Sequence, residues 1–215
     1  MEQLIAGPAV HDLLQVTEPG ALVPIIGTRL PAWAAPSLDA APWVVVRRAP
    51  RAADDALPVG VRGRSRSERA GAWLPPDAVI HRLTPEQLPD RLPLLPQDRR
   101  WTVPALDALD RVRDAITSFE LVWGPGGSIG FELATGVATA RPGSDLDLVI
   151  RAEAQLPRDV AARLTTALAT LPVSTDAQLE TPYGAVSLVE YSRDEGPVLL
   201  RTTRGPRLVA DPWQP

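Results

Sequence analysis

The chain has 215 residues, 45% hydrophobic and 22% charged, which suits one generous folded domain or two small ones. A net charge of −4 argues against stable nucleic-acid binding, and the lack of cysteine excludes disulfides, thiolate nucleophiles and cysteine-type zinc sites. No apolar run is long enough to span a bilayer and no secretory signal is visible, so a cytoplasmic enzyme is the expectation.

From Met1 to about Arg100 the chain is crowded with proline and arginine. Trp43 to Arg47, β-branched and bounded by Pro42 and Pro50, predicts a strand. Val59 to Gly63 predicts a strand running into a turn. Pro75, Pro76, Pro85, Pro89, Pro93 and Pro96 keep any later helix short. Residues 1–100 are therefore read as a small, loop-rich α/β domain, and 101–215 as a second, more regular one.

In that second half Leu106, Leu109, Val112, Ile116 and Phe119 recur at helical spacing, with Pro104 tolerated in the first turn. Glu120 to Trp123 predicts a strand that ends at Gly124-Pro125-Gly126-Gly127. A helix is expected from Ser128, as N-cap, to near Gly136. Arg141-Pro142-Gly143 reads as a turn and Asp145 to Ile150 as a strand. Val160, Leu164, Ala167 and Leu171 mark a helix after Pro157, and three extended segments follow: Val173 to Thr181, Ala185 to Tyr191 and Val198 to Thr203. This order predicts an α+β domain on a mixed sheet.

Two segments there carry chemistry. A strand turning through Gly126 and Gly127 into a helix beginning at Ser128 makes a phosphate cradle, because N–H groups and the helix dipole converge on it. Such turns also occur as plain connections. In Ser144-Asp145-Leu146-Asp147-Leu148 the two carboxylates share one strand face while the leucines enter the core. Their repulsion is costly without a cation, so Asp145 and Asp147 are candidate metal ligands. With only His11 and His81 in the chain, oxygen donors must dominate, which favours Mg²⁺ or Mn²⁺. A third carboxylate is expected from Asp176 or Glu180, which share a face of their strand; Asp176 lies nearer the strand's start.

These segments resemble the polymerase-β-like nucleotidyltransferase superfamily. More narrowly, Trp123 to Gly136, Ser144 to Leu148, Glu180 to Leu188, Leu199 to Thr202 and Gly205 to Trp213 are similar to malonate decarboxylase holo-acyl-carrier-protein synthase, the phosphoribosyl-dephospho-CoA transferase family. His11 to Leu14, Val44 to Arg48 and Val59 to Gly63 agree more loosely. The resemblance implies a metal-dependent nucleotidyltransferase that moves 2′-(5″-phosphoribosyl)-3′-dephospho-CoA from its triphosphoribosyl form to a serine of the malonate decarboxylase carrier subunit, releasing pyrophosphate. Asp145 and Asp147 would then hold Mg²⁺, Asp176 would complete the site or act as base, and Gly126, Gly127 and Ser128 would grip the leaving phosphates. The first domain would bind substrate or carrier. Two other readings fit the same residues: a nucleotidyltransferase acting on another protein, a small molecule or an RNA hydroxyl, and an inactive nucleotide-binding module.

All basic residues are arginine, the better bidentate phosphate ligand. Arg62, Arg64, Arg66 and Arg69 form a basic patch that would bind the donor or dock the carrier, or is simply a solvated loop. Arg141 and Arg201 are candidate phosphate contacts, or surface ion pairs. Glu132, His11 and the scattered tryptophans read as structural, with Trp213 pinning the C-terminus.

Overall fold

The computed structural model of the chain describes residues 7–25, 28–52, 54–65, 67–193 and 196–215. Backbone packing separates two compact units, Met1–Thr84 and Pro85–Pro215. The stretch 85–100, read from sequence with the first half, falls in the second. Its prolines start two 3-10 turns, Pro85–Gln87 and Pro89–Leu94, that bury Leu88 and Leu92 within that unit.

The first unit contains β1 (Leu13–Val16), β2 (Val23–Pro24), α1 (Ala34–Ala40), β3 (Trp43–Val46), β4 (Leu57–Arg62), β5 (Arg69–Leu74) and β6 (Val79–Leu83). They form one six-stranded sheet in the order β2-β5-β4-β3-β1-β6, antiparallel at every pairing. Among the described residues the expected loop-rich domain is thus a sheet with one α-helix and two single-turn 3-10 helices. Strand β5 is Ala- and Gly-rich and has little intrinsic β preference, so pairing with β4 decides it; β6 opens on the β-branched Val79 and Ile80 and pairs with β1. Leu57, Val59 and Val61 alternate inward and meet Leu38 of α1 in the core.

The second unit contains α2 (Gln97–Thr102), α3 (Pro104–Asp107), α4 (Leu109–Thr117), β7 (Val122–Pro125), α5 (Gly127–Thr135), β8 (Leu146–Arg151), α6 (Arg158–Ala169), β9 (Thr175–Thr181), β10 (Gly184–Ser187), α7 (Leu188–Tyr191), β11 (Val198–Thr202) and β12 (Gly205–Val209). The helix predicted over 106–119 is broken at Ala108 into α3 and α4. The expected extended run from Ala185 becomes a strand and a short helix, where Ser187 caps α7 by accepting the Glu190 N–H. Trp213 does anchor the C-terminal segment: its indole donates to the Ala152 carbonyl at 2.7 Å and its ring meets Tyr191 edge-on.

The sheet order is β12-β11-β10-β9-β8-β7. Only β8 and β9 run parallel, joined through α6; the other pairings are antiparallel. The chain is thus mixed α/β with a mixed sheet in its C-terminal half. Leu146, Leu148, Ile150, Ala177 and Leu179 form one buried sheet face, covered by α6: a cavity of about 260 Å³ there is bordered by Leu168 of α6, Ala177 of β9 and Leu188 of α7. The opposite face carries the polar residues of β8 and β9.

Candidate active site

The parallel register decides which carboxylates meet. Asp147 of β8 is the direct partner of Asp176 on β9, so the two side chains rise from neighbouring positions on the same face. Asp145 precedes β8 by one residue and is exposed, as is Asp176; Asp147 is half-buried. Glu180 lies four residues further along β9, opposite Arg151, and is buried. Arg151 itself donates to Glu86 at 2.7 Å. The geometry therefore places Asp176, and not Glu180, beside Asp147.

The glycine turn folds back over the same residues. The Gly126 N–H donates to the Asp147 carbonyl at 2.8 Å, and Gly126 lies against Asp147 Cβ and Val149. Gly127 has φ +55°, a left-handed conformation that glycine adopts without penalty. A Cβ built there would fall 1.6 Å from Asp147 Oδ2. The carboxylate thus occupies the space that any other residue at 127 would need.

Helix α5 begins two residues earlier than the sequence predicts. Its N-cap is Gly126, and Ser128 stands inside the first turn instead of capping it. The reason is steric at Gly127, whose left-handed backbone and missing Cβ let the helix start against Asp147. The first-turn N–H groups of Gly127 and Ser128 have no acceptor one turn back in the helix, and they lie beside the carboxylates. The Ser128 hydroxyl approaches Ser144 Oγ at 3.5 Å. Gly136, with φ +74°, ends the helix.

Arg141 is exposed on the turn before Asp145, where its N–H donates to Ser144 Oγ at 2.9 Å and its carbonyl accepts the Ser144 N–H at 2.9 Å. Arg201, also exposed, stands opposite Ala185 on β11, on the sheet face that carries Glu180. Neither makes an ion pair with a described residue, so the surface-pair reading of Arg141 is not what the structure shows. Arg62 and Arg64 belong to the first unit. Arg62 pairs in register with Arg69 at the base of the β4–β5 hairpin, and Arg64 is exposed in its turn. Arg66 lies outside the described residues.

The donor set suits a hard cation that keeps substrate and water oxygens among its ligands. Among the described residues no three His, Asp or Glu side chains gather into a closed metal-holding group. Two carboxylates completed by phosphate oxygens is the usual way Mg²⁺ is held in phosphoryl-transfer sites, and Asp145 and Asp147 beside the glycine turn fit that pattern. Glu132, read from sequence as structural, is buried and bound to Arg99, a partner that sequence reasoning missed. A lone carboxylate inside the otherwise uncharged stretch Gly127–Thr135 was the available signal.

Residues 94–212 match the family model described as Phosphoribosyl-dephospho-CoA transferase MdcG C-terminal domain, and residues 9–85 match the corresponding N-terminal domain. A phosphoribosyl-dephospho-CoA transferase of Pseudomonas aeruginosa is 42% identical over 210 residues, covering 97% of this chain and 95% of its own. The Pseudomonas syringae protein of the same name is 44% identical over 205 residues, covering 94% and 92%. That of Klebsiella pneumoniae is 41% identical over 212 residues, covering 97% of each chain. No solved structure matches.

Proposed function

This chain belongs to the phosphoribosyl-dephospho-CoA transferase family, and on that premise we propose that it transfers 2′-(5″-phosphoribosyl)-3′-dephospho-CoA from its triphosphoribosyl precursor to a serine of the malonate decarboxylase acyl carrier subunit. Pyrophosphate is the leaving group. The observation that carries this reading is the pairing of Asp147 with Asp176 under the Gly126–Gly127 turn. The succession of glycine turn, helix, Asp-x-Asp strand, crossover helix and carboxylate strand supports kinship with polymerase-β-like nucleotidyltransferases.

In the proposed step the carrier serine oxygen bonds to the α-phosphorus, the bond from that phosphorus to its bridging oxygen breaks, and pyrophosphate departs with the bridging oxygen. Asp176 takes the hydroxyl proton. The N–H groups of Gly127 and Ser128 and the Ser128 hydroxyl bind the departing phosphates at the helix N-terminus. Arg141, on the turn before Asp145 and free of ion pairs with described residues, binds the remaining phosphate charge, whereas Arg201 stands level with Glu180, away from the glycine turn, and would meet only a distal part of the donor. Asp145 and Asp147 would hold Mg²⁺, for which Mn²⁺ can substitute; when bound, the ion neutralises phosphate charge and lowers the pKa of the attacking hydroxyl. The first unit binds donor or carrier, with Arg62 and Arg64 on its hairpin.

Intact-mass spectrometry of the apo carrier subunit tests this directly, after incubation with the protein, Mg²⁺ and triphosphoribosyl-dephospho-CoA. The expected result is a mass gain equal to the prosthetic group, blocked by EDTA. An unmodified carrier, with nucleotide transferred from a simple nucleoside triphosphate to another hydroxyl, would replace this reading with a different nucleotidyltransferase activity.

A further inference from the structure

The segment 136–145 joins α5 to β8 without regular structure, yet it carries Arg141, Ser144 and Asp145. One buried carboxylate sets its shape. Glu132, 1% exposed, accepts the backbone N–H of Thr139 at 2.9 Å and that of Ala140 at 2.8 Å, both on Oε2. The same carboxylate receives the Arg99 guanidinium in bidentate fashion, Nε to Oε1 at 2.8 Å and Nη2 to Oε2 at 3.1 Å. Arg99 Nη2 also donates to the Ala140 carbonyl at 2.9 Å. The pair thereby holds both backbone polar groups of Ala140. Thr139 Oγ1 donates to the Ser128 carbonyl at 3.0 Å, which ties the same segment to the first turn of α5.

A buried ion pair seldom adds stability over an apolar pair of the same volume, because desolvation offsets the attraction. What it does add here is one fixed arrangement of the groups around it. We infer that Glu132 and Arg99 are positioning residues for the transfer reaction: they fix the 137–145 segment on α5 and so set Ser144 and Asp145 against Ser128. The kinetic half of this inference rests on the functional reading above; the clamp itself is independent of it.

The double variant Arg99→Met/Glu132→Met removes both charges together and keeps the volume filled. The cost is the lost partners of the Thr139 and Ala140 backbone groups, which frees the segment while the rest of the unit keeps its core. Amide hydrogen exchange at Thr139 and Ala140 should then quicken about a hundredfold while α6 amides change little. The kcat for carrier modification should fall about a hundredfold with KM for the donor shifted less than about threefold, as for a lost supporting contact. Leu164→Ala, which opens a cavity on the helix-covered side of the sheet, is the control: it lowers Tm but leaves kcat within about twofold. A merely structural pair would behave like that control. Glu132→Gln keeps an acceptor for the segment's N–H groups but not the charge, should give an intermediate kcat, and carries the same comparison if the double variant does not fold. Unchanged exchange at Thr139 and Ala140 in a folded variant overturns the clamp. Faster exchange with unchanged kcat overturns the positioning role. If the wild-type protein modifies no carrier at all, the functional reading falls and takes the kinetic half with it, while the exchange measurement still decides the clamp.

Discussion

The two sheets of this chain have six strands each, and one connection of the second, a parallel crossover, has no counterpart in the first. Every strand pair in the first unit is antiparallel, so the start of each strand lies beside the end of its neighbour. In the second unit the crossover through α6 makes β8 and β9 parallel, and two strand beginnings come to the same edge. That difference is what concentrates charge. Asp147 and Asp176 both stand at the second residue of their strands, and only a parallel pair puts such residues side by side. The first sheet spends its pairing on burial; the second uses its odd connection to build a site.

Substitutions in the two sheets should have opposite effects. Alanine at Asp145 or Asp147 should lower carrier modification by at least about a thousandfold, roughly 4 kcal/mol of transition-state stabilisation, with Tm almost unmoved, because a repulsive neighbour has been removed. Leu57→Ala in the first sheet, whose side chain is 2% exposed, should instead cost about 2–5 kcal/mol of stability, read by denaturant unfolding of the full chain. An Asp147 variant that is fully active, or unfolded, would dissolve the distinction between the two sheets. Gly127→Ala falls between these cases. It adds about 1–2 kcal/mol of left-handed backbone strain and drives a methyl into the Asp147 carboxylate, so both Tm and transfer rate should drop, the latter about a hundredfold.

Strand β9 carries one carboxylate beside the turn and one away from it. Asp176→Asn should lower kcat by about a hundredfold or more, as removal of a general base does. Glu180→Gln, at a buried position away from the turn, should act on Tm and leave kcat within about threefold. Equal kinetic losses from the two substitutions would remove the argument from register.

Much of the site could be read from sequence because its parts are local. A glycine turn, a helix start and an Asp-x-Asp strand each need only a few consecutive residues, and period two alone puts Asp145 and Asp147 on one face. What could not be read needs a partner. The choice of Asp176 over Glu180 depends on the register of β8 against β9, and the role of Glu132 depends on Arg99, thirty-three residues away along the chain. The first unit was harder for the same reason. Val44 to Val46 declares itself as a strand, but Arg69 to Leu74 is a strand only because Leu57 to Arg62 pairs with it. The short helix Leu188–Tyr191 was hidden by its β-branched and aromatic residues; the Ser187 cap and burial of Leu188 and Tyr191 override their preference.

The first unit has a charged feature of its own on the β4–β5 hairpin. Arg62 and Arg69 face each other across the base of the β4–β5 hairpin, and Arg64 is exposed in the turn between them. Glu68 braces that turn by accepting the Ser65 N–H at 2.8 Å, a backbone hydrogen bond that holds its carboxyl below the usual range. Glu68 stays ionised and offsets part of the Arg64 charge, but Arg62, Arg64 and Arg69 outnumber it, so the hairpin keeps a local excess of positive charge suited to a polyanionic donor or an acidic carrier. Substituting Arg62 and Arg64 together by alanine should raise KM for one of the two substrates about fivefold at low salt, with kcat unchanged, since long-range attraction affects encounter more than chemistry. The difference should shrink towards zero near 0.5 M salt, where screening shortens the reach of exposed charges to about 4–5 Å. A KM that is unaffected at low salt would make the hairpin a solvated turn, and would leave the second sheet as the sole seat of substrate recognition.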